Sequence, residues 1–166
     1  TVWCAISANG IIGPFFFEHE AENAGTVNSE RHVAMIHNFL TPQLADFPVN
    51  ENTLFQQDGA TNARISMNAV NALFPGRVIS RNGDITWPPR SPDLTACDFF
   101  LWGYLKAKVF EADPPRTIEA LKQRIRNEIK AIPVNMLREV MQNFQARLQK
   151  CINFNGGHLA NVVFKK

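Results

Sequence analysis

The segment Trp87-Pro88-Pro89-Arg90-Ser91-Pro92 constrains the fold most, because it sets three prolines within five residues. Each ring lacks an N–H and pushes its predecessor toward extended geometry, so neither a helix nor a central strand can pass through. The two sides of this break are patterned differently. Before it, residues 1–7 and 11–17 are β-rich runs around Ala8-Asn9-Gly10, and the Asn-Gly pair predicts a tight hairpin turn. Glu18 to Asn28 is polar and reads as a loop. Asn28 or Ser29 can cap a helix whose apolar positions are Val33, Ile36, Phe39 and Leu40. Asn52 to Phe55 reads as a short strand leading into Gln56-Gln57-Asp58-Gly59. A helix from about Ala63 to Phe74 follows, with Met67, Val70 and Leu73 inward, and Arg77 to Ser80 is the next strand.

Beyond the proline segment the pattern is helical. Thr95 can cap a helix carrying Leu101, Trp102, Leu105 and Val109. Ile118, Leu121, Ile125 and Ile129 stripe a second helix, and Leu137, Val140, Met141, Phe144 and Leu148 stripe a third. Asn155-Gly156-Gly157 then breaks the chain. A hairpin, then strand–helix–strand, then helices predicts one α/β domain over residues 1–166, a mixed sheet flanked by helices. No repeat or linker interrupts it.

Charge is divided unevenly. Residues 1–114 hold seven Lys and Arg against twelve Asp and Glu, a net of −5; residues 115–166 hold ten against three, a net of +7. The basic helical part, about 115–152, suits a polyanion such as DNA, with Arg116, Lys122, Arg124, Arg126 and Lys130, together with Arg90, as candidate phosphate contacts. A solvated helix face is the plainer reading. No apolar run approaches the length of a membrane span, so no membrane partner is expected, and no leader pattern opens the chain. The start at Thr1 inside an apolar run has the pattern of a piece of a longer chain. Cys4, Cys97 and Cys151 are too widely spaced for a disulfide framework or a zinc pair, and fit buried intracellular thiols. His19, His32, His37 and His158 have no ligand spacing with them and read as surface or turn residues. Trp87 and Trp102 read as core residues near the proline segment.

Two carboxylates stand out by context. Asp58 closes a short apolar strand beside a glycine, and Asp98, 40 positions later, opens a helix delivered by the rigid loop. Strand ends and helix starts gather on one edge of an α/β sheet, so the two are expected to face each other. Mg²⁺ and similar hard cations take oxygen ligands and keep several waters, so few protein carboxylates suffice. Two such ions, roughly 3.5–4 Å apart, activate a water and stabilise the leaving oxygen in phosphodiester cleavage. Plainer readings stand beside this one. Thr95 and Asp98 have the spacing of a capping box, and Asp58-Gly59 is an ordinary turn signal. Asp93 is a rival ligand or a loop residue bonding nearby amides, and Asp84 fits a turn after Asn82-Gly83.

Three blocks together resemble the catalytic core of mariner-type DNA transposases. They are Gln57-Asp58-Gly59-Ala60, the run from Trp87 to Leu94, and Asp98-Phe99-Phe100-Leu101-Trp102-Gly103-Tyr104-Leu105-Lys106. The opening Val2-Trp3-Cys4-Ala5-Ile6, the run from Gly10 to Phe17 and the late Gly156-Gly157-His158-Leu159 match the same family. The resemblance implies a ribonuclease H-like fold and metal-dependent DNA cleavage and strand transfer at transposon ends. Water, and then a DNA 3′-hydroxyl, would attack phosphorus in line. It implies three acids holding two Mg²⁺ or Mn²⁺ ions, with Asp58 as the second, Asp98 as the third, and Asp93 not a ligand. A homodimer in the nucleus is implied as well.

Departures from the family shape further expectations. Its first acid lies on a central strand ahead of the Val-Trp-Cys segment, which these residues do not include, so the chain is expected to be inactive. Glu18, Glu20 and Glu22 follow the wrong strand to substitute. With that strand missing, the strands of residues 1–7 and 52–55 are expected to pair directly or to leave a poorly soluble chain. The family's His after its second acid is replaced by the shorter Thr61-Asn62-Ala63, which alters how Asp58 is aimed. The helix-turn-helix region that reads transposon ends is also missing. A non-catalytic nucleic-acid- or protein-binding module is the alternative.

Overall fold

A computed structural model describes residues 1–18, 27–58, 64–88, 91–111, 113–156 and 159. The chain divides into two compact units, one of residues 1–3 and 15–90, the other of 4–14 and 91–166. The division at Arg90 falls inside the proline segment that the sequence marks as a break.

Strands β1 (Val2–Ser7) and β2 (Gly10–Phe16) form the hairpin, with the turn on Ala8-Asn9 rather than Asn9-Gly10. The Ser7 hydroxyl explains the shift: it accepts from the Asn9 N–H at 3.1 Å and donates to the Gly10 carbonyl at 3.3 Å.

In the first unit, α1 (Ser29–Met35) is capped by Asn28, whose side chain accepts from the Arg31 N–H at 2.9 Å. The helix widens into a π-turn over Ile36–Leu40 and resumes as α2 (Thr41–Ala45). Pro42 is the local cause. It has no N–H to offer and its ring needs room against the preceding turn. The Ile36 carbonyl is satisfied instead by the Thr41 N–H and by its hydroxyl at 2.9 Å. Met35, Ile36 and Leu40 are buried here, and Phe39 meets the Trp3 ring edge-on.

Strand β3 covers only Phe55–Gln56, shorter than the strand expected from Asn52. Asn50 takes the missing residues into a turn: its Oδ1 accepts from the Asn52 N–H and its carbonyl from the Thr53 N–H. Then come α3 (Arg64–Leu73), β4 (Val78–Ser80) and β5 (Ile85–Thr86). The sheet order is β3-β4-β5, parallel throughout, with Phe55 opposite Val78 and Ile79 opposite Ile85. Asp84 sits in the 81–84 bend as expected, its carboxylate accepting from the Val78 N–H at 3.0 Å. Gly83 is required there, since a Cβ would lie 2.5 Å from the Val78 carbonyl oxygen. Val70, Val78, Met67 and Phe74 form the core, with Phe74 stacked on Phe55. The expected pairing of β1 with β3 does not occur among the described residues. The two strands lie in separate sheets, and the two-residue β3 is too short to offer a second ladder.

His32 corrects the expectation of a surface residue. It is 3% exposed on α1, its Nδ1 has no partner among the described residues, and burial holds its pKa below the usual histidine value. The unfolded chain therefore binds the proton more readily. Stability is full above the unfolded value of about 6.5 and is lost as pH falls below it toward the lower folded value. Urea midpoints are expected to fall between pH 7.5 and 5.5, and His32→Leu to flatten that slope. A slope unchanged by the substitution would assign the pH effect elsewhere.

The second unit is helical apart from its share of the hairpin. A short 3₁₀ turn (Pro92–Leu94) and a π-turn (Cys97–Leu101) lead into α4 (Trp102–Phe110). Helix α5 (Ile118–Ala131) is capped by the Thr117 hydroxyl, which accepts from the Ala120 N–H. Pro133 ends α5 by holding Ile132 extended, and α6 (Val134–Asn153) follows. Asn155 and Gly156, both at positive φ, terminate α6. Leu94, Leu101, Leu105, Val109, Ile129, Leu137, Val140 and Leu159 are buried. Trp87 and Trp102 are half-buried rather than core.

Candidate functional site

Asp58 lies in the first unit, exposed where β3 ends. The residue before it is held firmly. The Gln57 N–H donates to the Ile79 carbonyl at 3.0 Å, and its Nε2 to Met67 Sδ at 3.0 Å. The sheet therefore fixes the backbone up to Asp58 and leaves the carboxylate at the surface. Gly59 and the shortened segment through Ala63 lie outside the described residues.

Asp98 lies in the second unit, exposed in the first turn of the Cys97–Leu101 π-segment. The capping-box reading of Thr95 and Asp98 does not hold. The Asp98 N–H bonds to the Thr95 carbonyl at 2.9 Å, while the Thr95 hydroxyl donates back to the Ser91 carbonyl at 3.4 Å. Cys97, one residue earlier, directs its thiol at the Cys4 carbonyl, 3.8 Å away. Burial, and then Cys97 nearby, push the Cys4 thiol up to about 12. It is therefore an inert packing group rather than a nucleophile.

Asp93, the rival ligand, is otherwise engaged. Its Oδ2 accepts from the Leu159 N–H at 3.1 Å, and its carbonyl accepts from Arg147 Nη1 at 3.1 Å. This is the loop role the sequence left open, although the amide lies 66 residues away rather than nearby.

Arg147 is the residue that sequence reasoning missed. It is 4% exposed, with its guanidinium 4.2 Å over the Phe99 ring and its Nε without a partner among the described residues. Burial lowers its pKa and the Asp93 charge opposes that. A signal was available: positions 137, 140, 144 and 147 continue the buried stripe of α6, so an arginine stands where an apolar residue belongs.

Arg90 aside, the basic candidates lie on α5 or just before it. Lys122 and Arg126 both lie 3.5 Å from Glu119, and Arg124 donates to the Asp113 carbonyl. Arg116 and Lys130 are exposed, and Arg90 lies outside the described residues. Surface ion pairs of this kind contribute little to stability.

Asp58 and Asp98 are each an exposed carboxylate, the kind of ligand that hard divalent cations take. Among the described residues no group of three His, Cys, Asp or Glu is placed to hold one. No described helix is long and apolar enough to cross a membrane.

Comparison with known proteins gives the arrangement its context. No family model matches the chain. The Transposable element Tc3 transposase of Caenorhabditis elegans is 35% identical over 103 residues, which are 61% of this chain and 30% of that protein. Among solved structures, the Mos1 transposase catalytic domain with raltegravir and Mn has a TM-score of 0.74 at 15% identity, covering 95% of this chain and 82% of that one. The Mos1 mariner transposase catalytic domain in another crystal structure gives 0.72 at 15% identity, with 95% and 81% covered. The form with raltegravir and Mg gives 0.68 at 17%, with 95% and 74% covered. The sequence likeness to a transposase and the shared α/β architecture agree: this chain is similar in sequence to the Tc3 transposase and has the ribonuclease H-like fold of the Mos1 mariner transposase catalytic domain.

Proposed function

We propose that the chain carries the metal-dependent DNA cleavage and strand-transfer chemistry of a transposase, with Asp58 and Asp98 as ligands for Mg²⁺ or Mn²⁺. The observation that supports this best is the setting of Asp98, an exposed carboxylate on a wide helical turn just after the Trp87–Leu94 block. Bound cations would activate the attacking oxygen and stabilise the leaving one. The chain's own part is to hold the two carboxylates on firm backbone, Asp58 through the β3–β4 bonds and Asp98 through the turn after Thr95. In this reading the partner is DNA at transposon ends, the assembly is a homodimer, and the location is the nucleus. In this reading the two units are parts of one catalytic domain, a reading supported by the 95% of the chain that the likeness to the Mos1 catalytic domain covers. Two of the family's three acids are matched in these 166 residues, and the expectation of inactivity without the first is tested by the nicking assay below.

A second reading, a nucleic-acid- or protein-binding module without chemistry, is favoured by the net charge of +7 over residues 115–166. A plasmid-nicking assay in Mg²⁺ or Mn²⁺ separates the two. Nicking that requires the metal and disappears in Asp58→Ala supports the enzyme. DNA binding that weakens steeply with salt and leaves the plasmid intact supports the module.

A further inference from the structure

We propose that Arg147 is a positioning residue for Asp98, acting through the wide turn that carries it. The inference rests on the reading of Asp98 as a cation ligand. Two π-turns occur among the described residues, and they differ in setting. Ile36–Leu40 has a local cause, Pro42 with the Thr41 hydroxyl. Cys97–Leu101 lacks that cause, since residues 93–113 contain no proline.

What holds the second turn is tertiary. The Arg147 guanidinium lies 4.2 Å over Phe99, the residue after Asp98, while its Nη1 bonds to the carbonyl of Asp93, just ahead of the turn. Asp93 is anchored in turn by the Leu159 N–H. One planar cation thus spans the segment on both sides of Asp98. Widened turns of this kind cluster at functional sites.

Energetics point the same way. A buried arginine with an unpartnered Nε is costly, and leucine or methionine would fill the same position on the α6 stripe more cheaply. A planar guanidinium that stacks and donates at once does what neither they nor lysine can. Groups that orient a metal ligand without touching the metal alter affinity by about 10- to 100-fold when removed.

The test measures Mn²⁺ binding by electron paramagnetic resonance, with Mn²⁺ alone as the probe, and amide hydrogen exchange in the metal-free chain. Wild type, Arg147→Met, Phe99→Leu and Asp98→Asn are compared. Faster exchange at the amides of residues 98, 99 and 102 is expected in both Arg147→Met and Phe99→Leu while α5 stays protected. Mn²⁺ affinity is expected to fall about tenfold or more. Phe99→Leu removes the stack without touching the buried charge, so it carries the test should Arg147→Met not fold. Unchanged exchange and unchanged affinity in these variants overturn the proposal. Failure of the ligand reading looks different: Asp98→Asn leaves Mn²⁺ binding as in wild type even where exchange in the other variants has risen.

Discussion

Replacing Asp98 by alanine is expected to bring Mn²⁺-dependent nicking by the chain down to the level left by EDTA. A carboxylate that holds a catalytic cation supports several kcal/mol of transition-state stabilisation, and each 1.36 kcal/mol is tenfold in rate, so whatever rate the chain shows above the EDTA level should be lost. Folding should be almost untouched, because the side chain is exposed; a change within about 0.5 kcal/mol is normal for such a site. The pairing of a large kinetic effect with a negligible shift in the urea midpoint is the diagnostic result. Asp93→Asn provides the contrast. Its oxygen can still accept from the Leu159 N–H, so it should retain most of the rate. A rate in Asp98→Ala that equals wild type would remove Asp98 from the chemistry.

Leu101→Ala is expected to cost about 2–5 kcal/mol, the range for truncating a fully buried leucine. Leu101 is 0% exposed and closes the π-turn that begins at Cys97. Its side chain couples the core of the second unit to the segment bearing Asp98, so the cavity should loosen that turn as well as lower the midpoint. At roughly 2–4 °C per kcal/mol for a chain of this size, the melting temperature should drop by roughly 4–20 °C. Thermal melts by circular dichroism, with hydrogen exchange at residue 99, check both parts. A shift below about 2 °C would mean that the turn does not depend on that core.

Much of this architecture was legible in local chemistry. The hairpin, the Asn28 cap, α3 and the three C-terminal helices follow from turn residues, caps and apolar spacing, all short-range signals. The Trp87–Pro92 break marks the border of the two units because proline acts on its immediate neighbours. What stayed hidden depends on distant partners. The Thr95–Asp98 spacing suggested a cap, but the loop turned the hydroxyl toward Ser91. The strand expected from Asn52 was shortened by the Asn50 side chain, a competition that strand propensity does not register. His32 and Arg147 are polar residues buried by tertiary packing, and no composition rule places them inside. For the proposed site, sequence singled out the two candidate acids, while the structure showed the different settings of Asp93 and Asp98: one carboxylate used to fix a loop, the other exposed.

The most direct measurement is a Mn²⁺ titration of wild type, Asp58→Asn, Asp98→Asn and Asp93→Asn, read from the free-ion paramagnetic signal. If Asp58 and Asp98 are the ligands, each of those two substitutions weakens binding at least about tenfold and Asp93→Asn leaves it nearly unchanged. Equal binding by wild type, Asp58→Asn and Asp98→Asn would contradict the account.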